Sequence, residues 1–180
     1  MSVISIPGAD DHVTQVSDVE KYISESKAAL NLILSEITEN KFQDAHKVES
    51  RIFRRLTELG LLLLKLFFAN QGEGDYGETI ETVKGTARRG RSGSKTYFSV
   101  FGKITVSRYL YHTDEETFAP SDILLNLPIR CYSYFLSEMM NLLNIRGAYS
   151  EGVGFIKKFF GIQVSVSASE TISDESSACY

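Results

Sequence analysis

Residues 88–112 read RRGRSGSKTYFSVFGKITVSRYLYH. In the second half, Phe98 and Val100, then Ile104, Val106 and Leu110, recur at alternate positions, the period of a half-buried strand. Between the two runs, Phe101-Gly102-Lys103-Ile104 suits a two-residue type II′ turn, because Gly102 at the first central position tolerates positive φ. A β-hairpin is therefore expected over 96–112. The return strand would expose Lys103, Thr105, Ser107, Tyr109 and Tyr111 on its other face. A hairpin by itself is marginal in water, so this one must lean on helices or a third strand.

The front of the stretch raises a question of charge. Seven cations and no acid lie between Lys84 and Arg108, in a chain whose formal net charge is −4. The Gly- and Ser-rich segment 73–95 reads as a basic arm or loop. Arg88, Arg89, Arg91, Lys95, Lys103 and Arg108 are the candidate phosphate contacts, with Tyr97, Tyr109 and Tyr111 nearby. Each phosphate neutralised releases counterions, so such a patch supplies affinity for nucleic acid without sequence choice. The alternative is a solvated face that keeps the hairpin soluble.

Outward from the hairpin the pattern is helical. Residues 1–16 carry Pro7, Gly8 and two adjacent aspartates and read as a flexible leader. Ser17 and Glu20 form a capping box, and Val19, Tyr22, Ile23, Leu30, Ile33, Leu34 and Ile37 follow at helical spacing. A second helix is expected from about 44 to 70, closed by Gly72 as a left-handed cap. Together these make a helical hairpin over 17–72, either purely structural or a dimer contact. Residues 113–180 read as a helical region with the layout of a helix-turn-helix, incomplete at its C-terminal end. It would comprise a helix over about 131–145, another capped by Ser150 and ended by Gly161, and a last one opened by a Ser167–Glu170 capping box. In such a motif the start of the second helix meets base edges, so Ser169, Glu170, Thr171 and Ser173 are the candidate base contacts. The signal is opposed by charge: no Lys or Arg follows Lys158, while Glu170, Asp174 and Glu175 lie on the would-be reading helix. The expected class is thus α+β, mostly α.

Other chemistries find little support. The longest apolar run, LGLLLLKLFFA over 59–69, is interrupted by Lys65 and too short to span a bilayer, so no membrane partner is expected. With Cys131 and Cys179 far apart and His12, His46 and His112 the only imidazoles, neither a metal site nor a disulfide framework is signalled, which fits a reducing cytoplasm. There is no GxxxxGK[ST], no nucleophile elbow and no GxGxxG after a strand, so no catalytic residue and no cofactor is expected.

Three blocks, RSGSKTYFSVFGKITVSRYLYH, APSDILLNLPIRCYSYFLSEMMNLL and YSEGVGFIKKFFGIQVSVSASETI, together resemble the N-terminal region of Kra-type insertion-sequence transposases over roughly 46–173. The resemblance implies a bacterial mobile-element protein that recognises the terminal inverted repeats of its element in double-stranded DNA. It implies a nucleoid-associated place in the cytoplasm. In that family a metal-dependent DDE domain follows and cuts and joins the strands. This chain ends where the family continues, so it is expected to be non-catalytic, partnered by a homodimer mate or a separately encoded catalytic part. A helical interaction module or an inactive remnant is the alternative.

Overall fold

The computed structural model describes residues 4–5, 16–39, 41, 43–83 and 85–177. Most of the expected leader and Lys84 lie outside them. In chain order the elements are β1 (Ile4–Ser5), α1 (Val16–Glu39), α2 (Ala45–Gln71), β2 (Thr79–Thr82), β3 (Gly85–Ser99) and β4 (Gly102–His112). There follow β5 (Thr117–Phe118), α3 (Pro120–Leu124), α4 (Tyr134–Asn144), α5 (Tyr149–Phe160) and α6 (Val166–Ser177). The chain is α+β: a helical hairpin, an antiparallel sheet in the order β1-β2-β3-β4-β5, and a C-terminal helical unit.

The helical period of the first 70 residues is realised as α1 and α2. Asp44 caps α2, its carboxylate accepting from the His46 N–H at 3.1 Å. Gly72 ends it, but at φ 71 and ψ −173 it lies outside the left-handed cap conformation expected there, donating to the Ala69 carbonyl. That positive φ is what requires glycine there. On one flank of the pair, Arg55 Nη2 lies 2.9 Å from Glu36 Oε1. Another face of α2 meets the sheet, where Phe68 packs with Ile104 and Val106 and stands edge-on to Tyr97 at 5.3 Å between centroids.

The sheet differs most from the sequence expectation. The segment expected as an arm over 73–95 holds β2 and the first part of β3, so the hairpin runs from Gly85 to His112 rather than over 96–112. β2 pairs only with Gly85–Arg88, and the glycines and serines beyond become strand by pairing with β4, where ladder hydrogen bonds override weak intrinsic preference. Arg89 opposes Tyr111 and Ser92 opposes Tyr109, so Gly90 and Arg91 together face Leu110 in a β-bulge. A Cβ at Gly90 would fall 2.1 Å from His112 Nε2 and 3.2 Å from the Leu110 carbonyl oxygen; the close approach selects glycine.

The turn is also displaced. Ser99 pairs with Gly102, so Val100 and Phe101 are its central residues and Gly102 follows them at φ 134. Neither central residue has positive φ, which excludes the expected type II′ geometry. Both turn side chains are anchors. Val100 enters the C-terminal core, and the Phe101 ring covers Gly60 of α2 so closely that a Cβ there would lie 2.5 Å from it.

The C-terminal unit begins with an extended segment. Phe98 N–H donates to the Cys131 carbonyl at 2.6 Å and Ser133 N–H to the Phe98 carbonyl at 2.8 Å. Only then does α4 start, with the Ser133 hydroxyl accepting from the Leu136 N–H at 3.1 Å. Helices α4, α5 and α6 enclose Leu136, Met140, Ile156, Ile162, Val164 and Ile172. Gly161 ends α5 in the left-handed region, as expected. The expected caps shift: α5 starts behind Ala148 instead of Ser150, and Ser165 caps α6, accepting from the Ala168 N–H at 3.1 Å. No described helix is long and apolar enough to cross a membrane.

Candidate nucleic-acid interface

The six candidate phosphate contacts fall into two groups. Arg89, Lys95 and Arg108 are engaged within the chain. Arg89 Nη1 lies 2.6 Å from Asp75 Oδ2, and its guanidinium sits 5.6 Å from the Tyr109 ring centroid. The hydrogen bond to Asp75 and the charge of that carboxylate raise the Arg89 pKa above its ordinary value. Lys95 Nζ lies 3.3 Å from Asp122 Oδ2, the oxygen that also accepts from Arg108 Nη1. The three side chains are only 12%, 18% and 21% exposed for Lys95, Arg108 and Asp122, so this is a largely desolvated group of two cations on one acid.

Arg88, Arg91 and Lys103 form the other group. All three are exposed and have no ion-pair partner among the described residues. Arg88 stands across from His112, also exposed, and Arg91 is thrown outward by the bulge. Lys103 sits near the turn, its ammonium 5.9 Å from the Phe98 ring centroid. Arg91 and the Phe98–Lys103 rung are seven residues apart on β3, about 23 Å. Arg88 and Arg91 make one patch; Lys103 is a separate outpost.

The tyrosines are not a stacking platform. Tyr111 is fully buried with Ile80 and Ala87. Its hydroxyl accepts from the Tyr76 N–H at 2.8 Å and donates to the Gly77 carbonyl at 2.8 Å. Burial pushes its pKa up, as it does for Tyr97, which packs on Phe68.

The candidate base contacts are divided as well. Ser169 is buried, exchanging hydrogen bonds with Asn144 at 2.9 and 3.2 Å. Ser173 accepts from Asn144 at 2.9 Å and donates to Asn141 at 3.1 Å. Both face α4 and hold α6 to it. Thr171 donates back to the Ser167 carbonyl at 2.9 Å. The surface α6 offers instead is Glu170, Asp174 and Glu175, the last paired with Arg130. Such a face repels phosphate. Reasoning from sequence had not singled out Lys157 and Lys158, exposed at the C-terminal turn of α5; two adjacent cations before a helix-ending glycine were the available signal.

A cleft of about 500 Å³ opens between α1, α2 and β4. Its charged lining, Asp18, Glu73 and Asp75 against Lys65 and Arg89, mixes both signs and does not favour an anion. Among the described residues no cluster of three or more His, Cys, Asp or Glu side chains is placed to hold a metal ion. No protein-family model, no curated protein and no solved structure matches the chain.

Proposed function

We propose that this chain binds duplex DNA through its phosphates, as the end-recognising N-terminal part of an insertion-sequence transposase of the Kra type that its sequence resembles. Arg88 and Arg91 form the principal contact and Lys103 a second one. The observation that carries this reading is that Arg88 and Arg91, three residues apart on β3, are exposed and without a carboxylate partner among the described residues, in a chain of net charge −4. The planar arginine fork matches phosphate oxygens bidentately, so less side-chain freedom is lost per hydrogen bond formed. The reading assigns no base-specific role to α6, whose Ser169 and Ser173 are held by α4 and whose exposed charged groups are acidic.

The test is a salt titration of duplex binding. Replacing Arg88 and Arg91 by Ala should make the slope of log K against log salt shallower by about 1.8, if each arginine neutralises one B-DNA phosphate. An unchanged slope and affinity would mean that the patch is only a solvated face.

A further inference from the structure

The helical hairpin leaves an apolar flank that its own chain covers only in part, with Phe53 edge-on to Phe160 of α5 at 6.0 Å between centroids and Phe101 over Gly60. On α1, Ile23, Leu30, Leu34 and Ile37 are 37–51% exposed. On α2, Phe53, Leu56, Leu63 and Phe67 are 42–50% exposed. The spacing of the second set, three and four residues alternately about Gly60, is that of a coiled-coil seam, and the Phe101 ring fills the place over Gly60. Helical periodicity puts both stripes on the flank of the hairpin away from the Arg55–Glu36 pair. Charge is concentrated on that other flank, where Arg51, Arg54 and Glu58 also fall by the same periodicity.

We infer that this flank is the contact between two copies of the chain, which associate through it into an antiparallel four-helix bundle with α1 of one copy against α2 of the other. Two observations select a second copy. The stripes have equal length, each fifteen residues and about 21 Å from end to end, so a two-fold axis that exchanges them matches apolar surface to apolar surface over most of its extent. Lys27 is the charged position that the same spacing sets between Ile23 and Leu30. With Phe101, nine side chains contribute at about 80 Å² each, giving about 700 Å² per copy, close to the roughly 800 Å² per partner that stable interfaces bury. Packing of this kind, two helices on two at about 20°, is the ordinary solution for a two-helix layer with one apolar flank. The inference stands independently of the DNA reading, because none of the candidate phosphate cations lies on either stripe.

Light scattering on the chain from about 1 µM to about 100 µM should give twice the chain mass at the upper end. Leu34→Glu with Leu63→Glu should weaken association at least 100-fold, roughly the loss from charging two central contacts, while the far-UV circular dichroism stays that of the parent. Should that pair fail to fold, Leu34→Ser with Leu63→Ser makes the same test with less disturbance. A single-chain mass over the whole range would overturn the inference, even if the single chain bound phospholipid vesicles through this flank. So would a folded double variant that dimerises like the parent.

Discussion

Two regions of the central hairpin carry the same kind of side chain to opposite effect. Near its middle, Lys95 and Arg108 converge on Asp122 under α3, and together the three are mostly shielded from water. Toward its open end, Arg88 and Arg91 are exposed beside and within the bulge, with no ion-pair partner among the described residues. The difference lies in what crosses the sheet. Where a carboxylate reaches the strands, from α3 for Lys95 and Arg108 or from the segment after α2 for Arg89, cations become part of the scaffold; where none pairs with them, they stay exposed.

The sharpest way to break the comparison is to remove the shared acid. Asp122→Asn leaves two partly desolvated cations without a counter-charge, and breaking a buried ion pair in this way is strongly destabilising. We expect a loss of about 2–4 kcal/mol in urea unfolding, with little change in DNA affinity once the protein is folded. A neutral outcome would place Lys95 and Arg108 with the free group.

A smaller effect is expected from the anchor beneath the free end. Tyr111→Phe removes a hydroxyl that both accepts and donates at a fully buried site, and should cost about 1–3 kcal/mol. The same residue sets an alkaline limit. Burial raises its pKa above the ordinary phenol value, so the neutral ring stabilises the fold fully below about pH 10, and that contribution is lost as pH rises through the raised pKa. Unfolding free energy should therefore fall above pH 10 in the parent and fall less steeply in Tyr111→Phe. Smallest of all, Arg88→Ala with Arg91→Ala should leave stability within about 0.5 kcal/mol, as for surface changes in general. A larger loss would mean that these arginines too are structural.

Much of the fold was legible because its signals were local. The apolar period defined α1 and α2 to within a few residues, and Gly72 and Gly161 marked helix ends that need positive φ. What was not legible depended on partners distant in sequence. The stretch around Gly90 and Gly93 reads as loop by composition, and only pairing with β4 makes it strand. The turn sits at Val100–Phe101 because those two side chains dock on the C-terminal core and on Gly60, neither visible in the turn residues. The same limit divides the site. Asp75 and Asp122 each lie fourteen residues from the arginine they hold, and a register shifted at the turn gives no hint of either pairing. Ser169 and Ser173 carry the spacing of a helix face, but which neighbour that face meets was decided by Asn141 and Asn144 of α4.

Free and engaged cations differ in kind, and backbone amide shifts during titration with a short duplex at low salt separate them. Resonances around Arg88, Arg91 and His112 should move together, while those of Lys95, Arg108 and the segment around Ser169 stay in place. Movement at Ser169 and Glu170 with none at Arg88 and Arg91 would contradict that difference.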